Sequence, residues 1–382
     1  MQIRAVTLGL SVLPTARRIF EAGKQLKALV AWFNARGFVV QSRRLALPSW
    51  DRGTATVPVH DRVAWARDLD ALCAENGIDF CSLGVARDPP DVASLAGLLV
   101  TTSRLSGGVD AADARRGIDF AAVESAARAV RHLSENSEDG FGNFRFGTGF
   151  SIAPDLPYFP CAYHAGDSDC FSVGLENSDV VVSAFRRARS VTIAAEALHT
   201  ELSEVVTRVE SACLQFEQQD TLRFAGIDTS ITPSLDAAGS IVGAFEGLGV
   251  SFARSGSMTV CGLITRTVKN LLVRRVGYCG LMLPVLEDQG LSKLADAGQF
   301  EISDLLRLSS VCAVGVDMVP LPGSASTKAL VRLMMDMATQ SIALSKPLCC
   351  RVLPIPGKRA GDLTTFSSPY LCNCRIFNFE SD

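Results

Sequence analysis

Apolar residues fall into two repeating patterns along the chain. Short runs rich in β-branched residues predict strands, and longer stretches with apolar positions three or four apart predict helices. IRAVTLG (3–9) predicts a strand, residues 15–36 a helix ended by Gly37, and FVVQSRRLAL (38–47) a second strand. Residues 61–76 predict a helix with Trp65, Leu69 and Leu72 on one face and Gly77 just past its end. IDFCSLGVA (78–86) predicts a third strand, 92–98 a short helix or turn, 98–103 a short strand and 119–134 another helix, followed by a polar loop over 134–143. This alternation over residues 1–145 is the pattern of a parallel sheet covered by helices.

Residues 143–164 carry aromatics and prolines with little periodicity. They predict a strand followed by a long ordered loop, and such loops are often functional. Further strands are predicted at 170–176, 222–231 and 309–323. Helices are predicted at 180–218 with a break near Ser190, then at 236–249, 289–298, 301–308 and 325–344, while 258–272 is predicted to run from a short strand or turn into a helix. The stretch KPLCCRVLPIPGKRAGD (346–362) closes the series. Its apolar run from Leu348 to Leu353 predicts a buried strand, and Pro354 and Pro356 stop it because neither can donate to a ladder. Gly357 then opens a loop carrying Lys358, Arg359 and Asp362. Ligands of parallel α/β sheets sit at the carboxyl ends of strands, so this loop is expected to wall a site.

The composition is that of a globular chain: 382 residues, 48% hydrophobic and 20% charged. One domain is expected, with residues 1–145 as a first half and 146–382 as a second half and tail. A net charge of -3 implies no attraction to nucleic acid. No uncharged apolar run reaches the roughly 18 residues of a membrane span, and the N-terminus lacks the pattern of a secretory leader. Twelve cysteines are scattered without zinc-finger spacing. Reduced thiols, mostly small core residues, and a cytoplasmic location are the expectation.

Candidate chemistry lies at the ends of predicted strands. Glu176, Asp228 and Asp317 are acidic residues near turns, and Glu246 follows Asp228 on a predicted helix. Asp228, Glu246 and Asp317 could hold a divalent metal or act as acid and base; capping and loop hydrogen bonds are the alternative. His164 could be a base, a ligand or a packed ring. Arg145, between aromatics, could hold a substrate carboxylate or a structural partner, since a buried Arg must be paired. His199 begins an H-x-E without the P-C-x-x-C that zinc deaminases add, so it is read as a helix-face residue. Phosphate-loop, dinucleotide and nucleophile-elbow patterns are missing. Cys349 and Cys350 point to opposite faces of their strand, and both are read as core thiols.

The segments NFRF, FPCAYH, FSVGLENSD, GIDTSITP, GYCGLMLPVLED, GVDMVPLPG and RVLPIPGKRAGD, with the PYLCNCR tail, resemble the domain-of-unknown-function 711 family over nearly the whole chain. That resemblance implies the fold of pyruvate formate-lyase, an α/β barrel of about ten strands in two five-stranded halves surrounded by helices. The TTFSSPYLCNC tail places the chain outside the branch with a glycine-rich tail. The resemblance does not carry radical chemistry. Glycyl radical enzymes have an R-V-x-G-Y type loop near the C-terminus, whereas RRVGYCG (274–280) lies far before it and lacks the intervening residue.

Together these readings predict an enzyme acting on a small polar or anionic metabolite inside the barrel. The reaction would be hydrolysis, elimination or a non-radical carbon–carbon step. His164, Asp228, Asp317 and Lys358 would carry the chemistry, and Arg145, Glu176, Arg351 and Asp362 would bind the substrate, with a divalent metal as the cofactor considered. A homodimer is expected. A metabolite-binding regulatory protein is the alternative.

Overall fold

The structure is a computed structural model that describes residues 2–220 and 222–380. Its centre is a nine-stranded, mostly parallel sheet. In chain order the strands are β1 (Gln2–Gly9), β2 (Val39–Ala46), β3 (Phe80–Ala86), β4 (Leu105–Asp110), the short pair β5 (Ala112–Asp113) and β6 (Gly117–Ile118), β7 (Phe146–Phe150), β8 (Cys170–Glu176), β9 (Arg223–Asp228), β10 (Asp317–Pro322) and β11 (Leu348–Ile355). The order across the sheet is β10-β11-β7-β4-β3-β2-β1-β8-β9. Five strands, β7-β4-β3-β2-β1, of which only β7 lies just beyond residue 145, run parallel. Each end of this block meets a strand from the second half running the other way, β11 against β7 and β8 against β1. Those strands continue in parallel to β10 and β9.

The reversal decides where a site can form, because one end of the assembly collects the amino ends of β1–β4 and β7 together with the carboxyl ends of β8 and β9. The ladder is not closed as a barrel, and β9 and β10 are its edges. Single backbone bonds extend from both. Ile227 and Ile231 exchange hydrogen bonds with segment 274–282, including Val276 N–H to Ile227 O at 3.1 Å and Met282 N–H to Ile231 O at 3.0 Å. Ala313 then donates to Leu281 O at 2.7 Å, and Cys349 of β11 to Val314 O at 2.6 Å.

The helices of the first half are α1 (Ala16–Asn34), α2 (Arg62–Glu75), α3 (Pro89–Val100) and α4 (Phe120–Glu135). Those that follow are α5 (Ser178–Arg187), α6 (Val191–Gln219), α7 (Val242–Gly247), α8 (Ser257–Lys269), α9 (Gln289–Asp296), α10 (Ile302–Leu308) and α11 (Thr327–Leu344). Local chemistry sets their ends. Thr15, Asp119, Ser190 and Ser326 each accept a backbone N–H in the first turn, the usual N-cap bond. The break between α5 and α6 therefore falls at Ser190, as the sequence predicts. No helix among the described residues is long and apolar enough to cross a membrane.

Two separate hydrophobic clusters result. The large one lies between sheet and helices. The smaller one lies on the other face and includes Val85, Ile152, Leu156, Tyr158, Cys161, Tyr163, Tyr278, Met282 and Cys349. It is built around segment 151–169, which leaves β7 and turns inward as a finger. The Ser82 and Ser106 hydroxyls of β3 and β4 both donate to Pro160 O, at 2.9 and 3.4 Å. Gly108 and Gly147 leave room for it, since a Cβ on either would come within 3.0 Å of Cys161 Sγ.

Several expectations need correction. Residues 98–103 are not a strand: Leu98–Val100 finish α3, and the strand is β4. Its SGG sequence reads as a loop, yet Gly107 is needed where Leu95 packs. The helix predicted over 236–249 shrinks to α7.

Candidate functional site

Between the two blocks of strands, at the end where the directions meet, lies a cavity with an empty volume of about 840 Å³ including its mouth. A chain of charges crosses it. Arg351 of β11 grips Asp317 of β10 with two bonds, Nε to Oδ1 at 2.7 Å and Nη2 to Oδ2 at 3.0 Å. Its Nη2 also donates to Glu287 at 2.7 Å. Arg4 of β1 continues the chain, bonding Glu287 at 2.8 Å and Glu176 at 3.3 Å. Burial opposes the charge of Arg351, but Asp317, Tyr158 and Glu287 outweigh it and hold its pKa above the usual value. For Asp317 burial is the larger influence and raises its pKa, although Arg351 pulls the other way. Two long-range carboxylates on one guanidinium tie β10, β11 and the 285–287 turn together.

Arg44 of β2 lines the same cavity without such support. Its Nε donates to the Ser42 hydroxyl at 2.9 Å, and its guanidinium lies 5.5 and 5.1 Å from the centres of the Phe80 and Phe159 rings. No carboxylate among the described residues forms an ion pair with it. Burial, and next the charge of Arg4, lower its pKa from the ordinary arginine value to about 9. Nearby, the Tyr158 and Tyr278 hydroxyls are buried with no hydrogen-bond partner among the described residues. Their rings meet edge-on at 4.9 Å, and burial raises both pKa values, so both phenols stay protonated at neutral pH. Phe80, Phe144, Phe159 and Tyr370 ring the mouth. A cationic donor, Arg44, and a buried phenol, Tyr158, thus line one cavity.

The predicted residues separate under this geometry. Asp228 and Asp317 reach the cavity, as do Arg351 and Arg145. Asp228 is buried, and its Oδ1 accepts from Ser230 N, Ser230 Oγ and Cys279 N at 2.9, 2.6 and 3.1 Å. Burial still raises its pKa. Glu246 is exposed on α7, so the trio Asp228, Glu246 and Asp317 is not brought together. Glu176 serves Arg4 and Gln41. Arg145 donates to the carbonyls of Leu105 and Leu99 at 2.7 and 2.8 Å, which fits the structural alternative. Lys358 and Asp362 lie on a surface turn, where Lys358 Nζ donates to Leu363 O and Asp362 caps Arg359 N–H. Strand β11 runs antiparallel to β7 and carries its end past the cavity, so the rule of carboxyl ends misplaces that loop.

His164 stands at the root of the finger. Its Nδ1 faces Asp155 Oδ1 in a short contact and lies 3.5 Å from Cys170 Sγ, while Nε2 is 2.9 Å from Ser168 O. Burial works against a charged ring here, but the bonds to Asp155 and Cys170 prevail and raise the pKa to about 10. Sequence reasoning missed Arg4, Arg44, Tyr158, Glu287, Asp155 and Cys170. For Arg44 a signal exists, an Arg pair inside an apolar strand; for Arg4 and Glu287 the partners are distant in sequence, whereas Asp155 and Cys170 lie within nine residues of His164.

The class is thus a mixed α/β protein with an interior, charge-lined cavity penetrated by a loop. The model of the family described as Uncharacterised ACR (DUF711) matches residues 1–367, and the chain belongs to that family. The UPF0210 protein of Oenococcus oeni is 26% identical, with 95% of this chain and 88% of that protein covered. The UPF0210 protein of Methanopyrus kandleri is 27% identical over the same shares. A UPF0210 protein of Neisseria meningitidis is 25% identical over 91% of this chain and 81% of its own length.

Proposed function

We propose that the cavity binds a small anionic metabolite, a carboxylate or phosphate, with Arg44 as its principal partner. Arg44 carries the reading: a guanidinium in a protein wall with no carboxylate of its own is an anion site, because a desolvated charge needs a counterion. Tyr158 supports it, since an unpartnered buried hydroxyl is costly unless a ligand accepts its proton.

On such a ligand the protonated Tyr158 acts as acid toward a substrate oxygen, and Asp317 beside it takes up a proton. That pair suits hydrolysis, elimination or a non-radical carbon–carbon step. Ligand binding without turnover is the second reading, favoured by the fact that Glu287 and Asp317 are both engaged by Arg351. We read the fold as a relative of the ten-stranded pyruvate formate-lyase barrel. The single backbone bonds through segments 274–282 and 313–316 support this.

The test is calorimetric titration with a panel of mono- and dicarboxylates and phosphates, followed by mass spectrometry of the ligand over time. Binding by wild type and loss in Arg44→Met is the expected result. Equal binding by both proteins would sink the assignment of Arg44, and consumption of the ligand separates enzyme from sensor.

A further inference from the structure

The finger places two residues of its own stem, Asp155 on the way in and His164 on the way out, beside Cys170 at the start of β8. We propose that this stem binds one divalent transition-metal ion, zinc by the nature of its ligands. The site is distinct from the Arg44 cavity and does not rest on the function assigned to it.

The ligand atoms, a carboxylate oxygen, an imidazole nitrogen and a sulfur, all lie within 4.8 Å of one another. Tetrahedral zinc with bonds of about 2.0–2.3 Å sets its ligand atoms about 3.3–3.8 Å apart. His164 Nδ1 and Cys170 Sγ are 3.5 Å apart, and Cys170 Sγ and Asp155 Oδ1 3.9 Å. Only Asp155 stands too near the ring, and it is the one partly exposed member, free to draw back. The ring is oriented as a ligand. Nε2 faces the Ser168 carbonyl at 2.9 Å, and a proton donated there leaves the Nδ1 lone pair aimed at the carboxylate. Metal-bound histidines are held this way by a carbonyl on the other nitrogen.

A lone pair and a carboxylate facing each other require a cation between them, either a proton or a metal. Cys170 breaks the tie. An imidazolium–carboxylate pair does not require a thiol beside it, whereas Cys170 supplies the soft third ligand by which a site selects zinc or cobalt over magnesium or calcium. An incoming ion displaces the shared proton and the thiol hydrogen, so two protons leave. Arg223 approaches the outer Asp155 oxygen at 3.9 Å and leaves the inner one for the ion. Three protein ligands leave a fourth position facing solvent on the Asp155 side. An ion there would staple both legs of the finger and fix Tyr158, Phe159 and Pro160 inside the cavity.

The experiment is a cobalt titration of the full chain after chelator dialysis, read by absorption, with zinc competing. One cobalt per chain should bind with visible d–d bands and a thiolate charge-transfer band, and zinc should displace it. Cys170→Ser, close in size, should abolish the charge-transfer band. Cys170→Ser and Asp155→Asn should each weaken binding by at least the roughly 10–100-fold that loss of a mere supporting group costs. Absence of cobalt binding by the folded wild type overturns the proposal and leaves a proton-bonded ion pair. Binding that persists unchanged in both variants also overturns it, since the ion would then sit on other cysteines.

Discussion

Arg351 and Arg44 sit on strands lining one cavity, yet their surroundings are opposite. Arg351 has three hydrogen bonds to Asp317 and Glu287, and its pKa is held up. Arg44 has a serine hydroxyl and two aromatic rings, and its pKa falls to about 9. The contrast separates a cation that builds the wall from one that waits for a ligand. A half-buried charge kept without a carboxylate partner lowers stability, so retaining it points to use rather than architecture.

The largest effect expected from breaking the contrast is at Arg351. Arg351→Met strands Asp317 without its cation, leaves Glu287 with Arg4 alone, and should destabilise the fold by about 3–5 kcal/mol in denaturant unfolding. A loss under about 1 kcal/mol would show that the charge chain does not hold β10 to β11. Arg44→Met should do the reverse. Anion binding should fall about 100-fold, the equivalent of ~3 kcal/mol for a charged hydrogen bond, while the ligand-free protein stays as stable or gains ~1 kcal/mol.

Changing pH sharpens the same point. The folded pKa of Arg44, about 9, lies well below that of a free arginine, so the protonated side chain is what the folded state disfavours. Its cost is full below pH 9 and is relieved as pH rises above it. The stability gap between wild type and Arg44→Met should therefore narrow above pH 9, while anion affinity of the wild type declines over the same range. Affinity that holds steady from pH 7 to 10.5 would show that Arg44 is not the partner. A smaller effect is expected at Tyr158. Tyr158→Phe removes a hydroxyl without a partner, so stability should hold and anion affinity should drop by roughly 10-fold. Lys358→Ala should change both stability and affinity least, by under about 0.5 kcal/mol, as for other surface positions.

Most of the strands and helices can be read from local pattern, because burial on one or both faces imposes a period. β4 escaped because its glycines look like a loop and are explained only by Leu95 and Cys161, neighbours supplied by other parts of the fold. The site was half legible. Asp228, Asp317 and Arg351 are polar residues at the margins of apolar runs, which local reading detects. The pairing of Arg4 with Glu287 spans 283 residues, and that of Arg351 with Glu287 spans 64. Nothing in one sequence marks such a pair. Lys358 shows the opposite error: a convincing local loop whose position depends on the direction of its strand relative to β7.

The finger has a consequence for how the molecule is made. A loop bonded through Pro160 to β3 and β4 has its partners as soon as the five-strand block is made. Synthesis supplies the parts in that sequence: the five-strand block, then the finger, then β8 and β9, and last β10 and β11. A circular permutant that releases segment 151–169 after β10 and β11 should fold more slowly and aggregate more, although its finished contacts are the same. Biosynthetic timing, then, is written into the connectivity of this chain as much as its shape is.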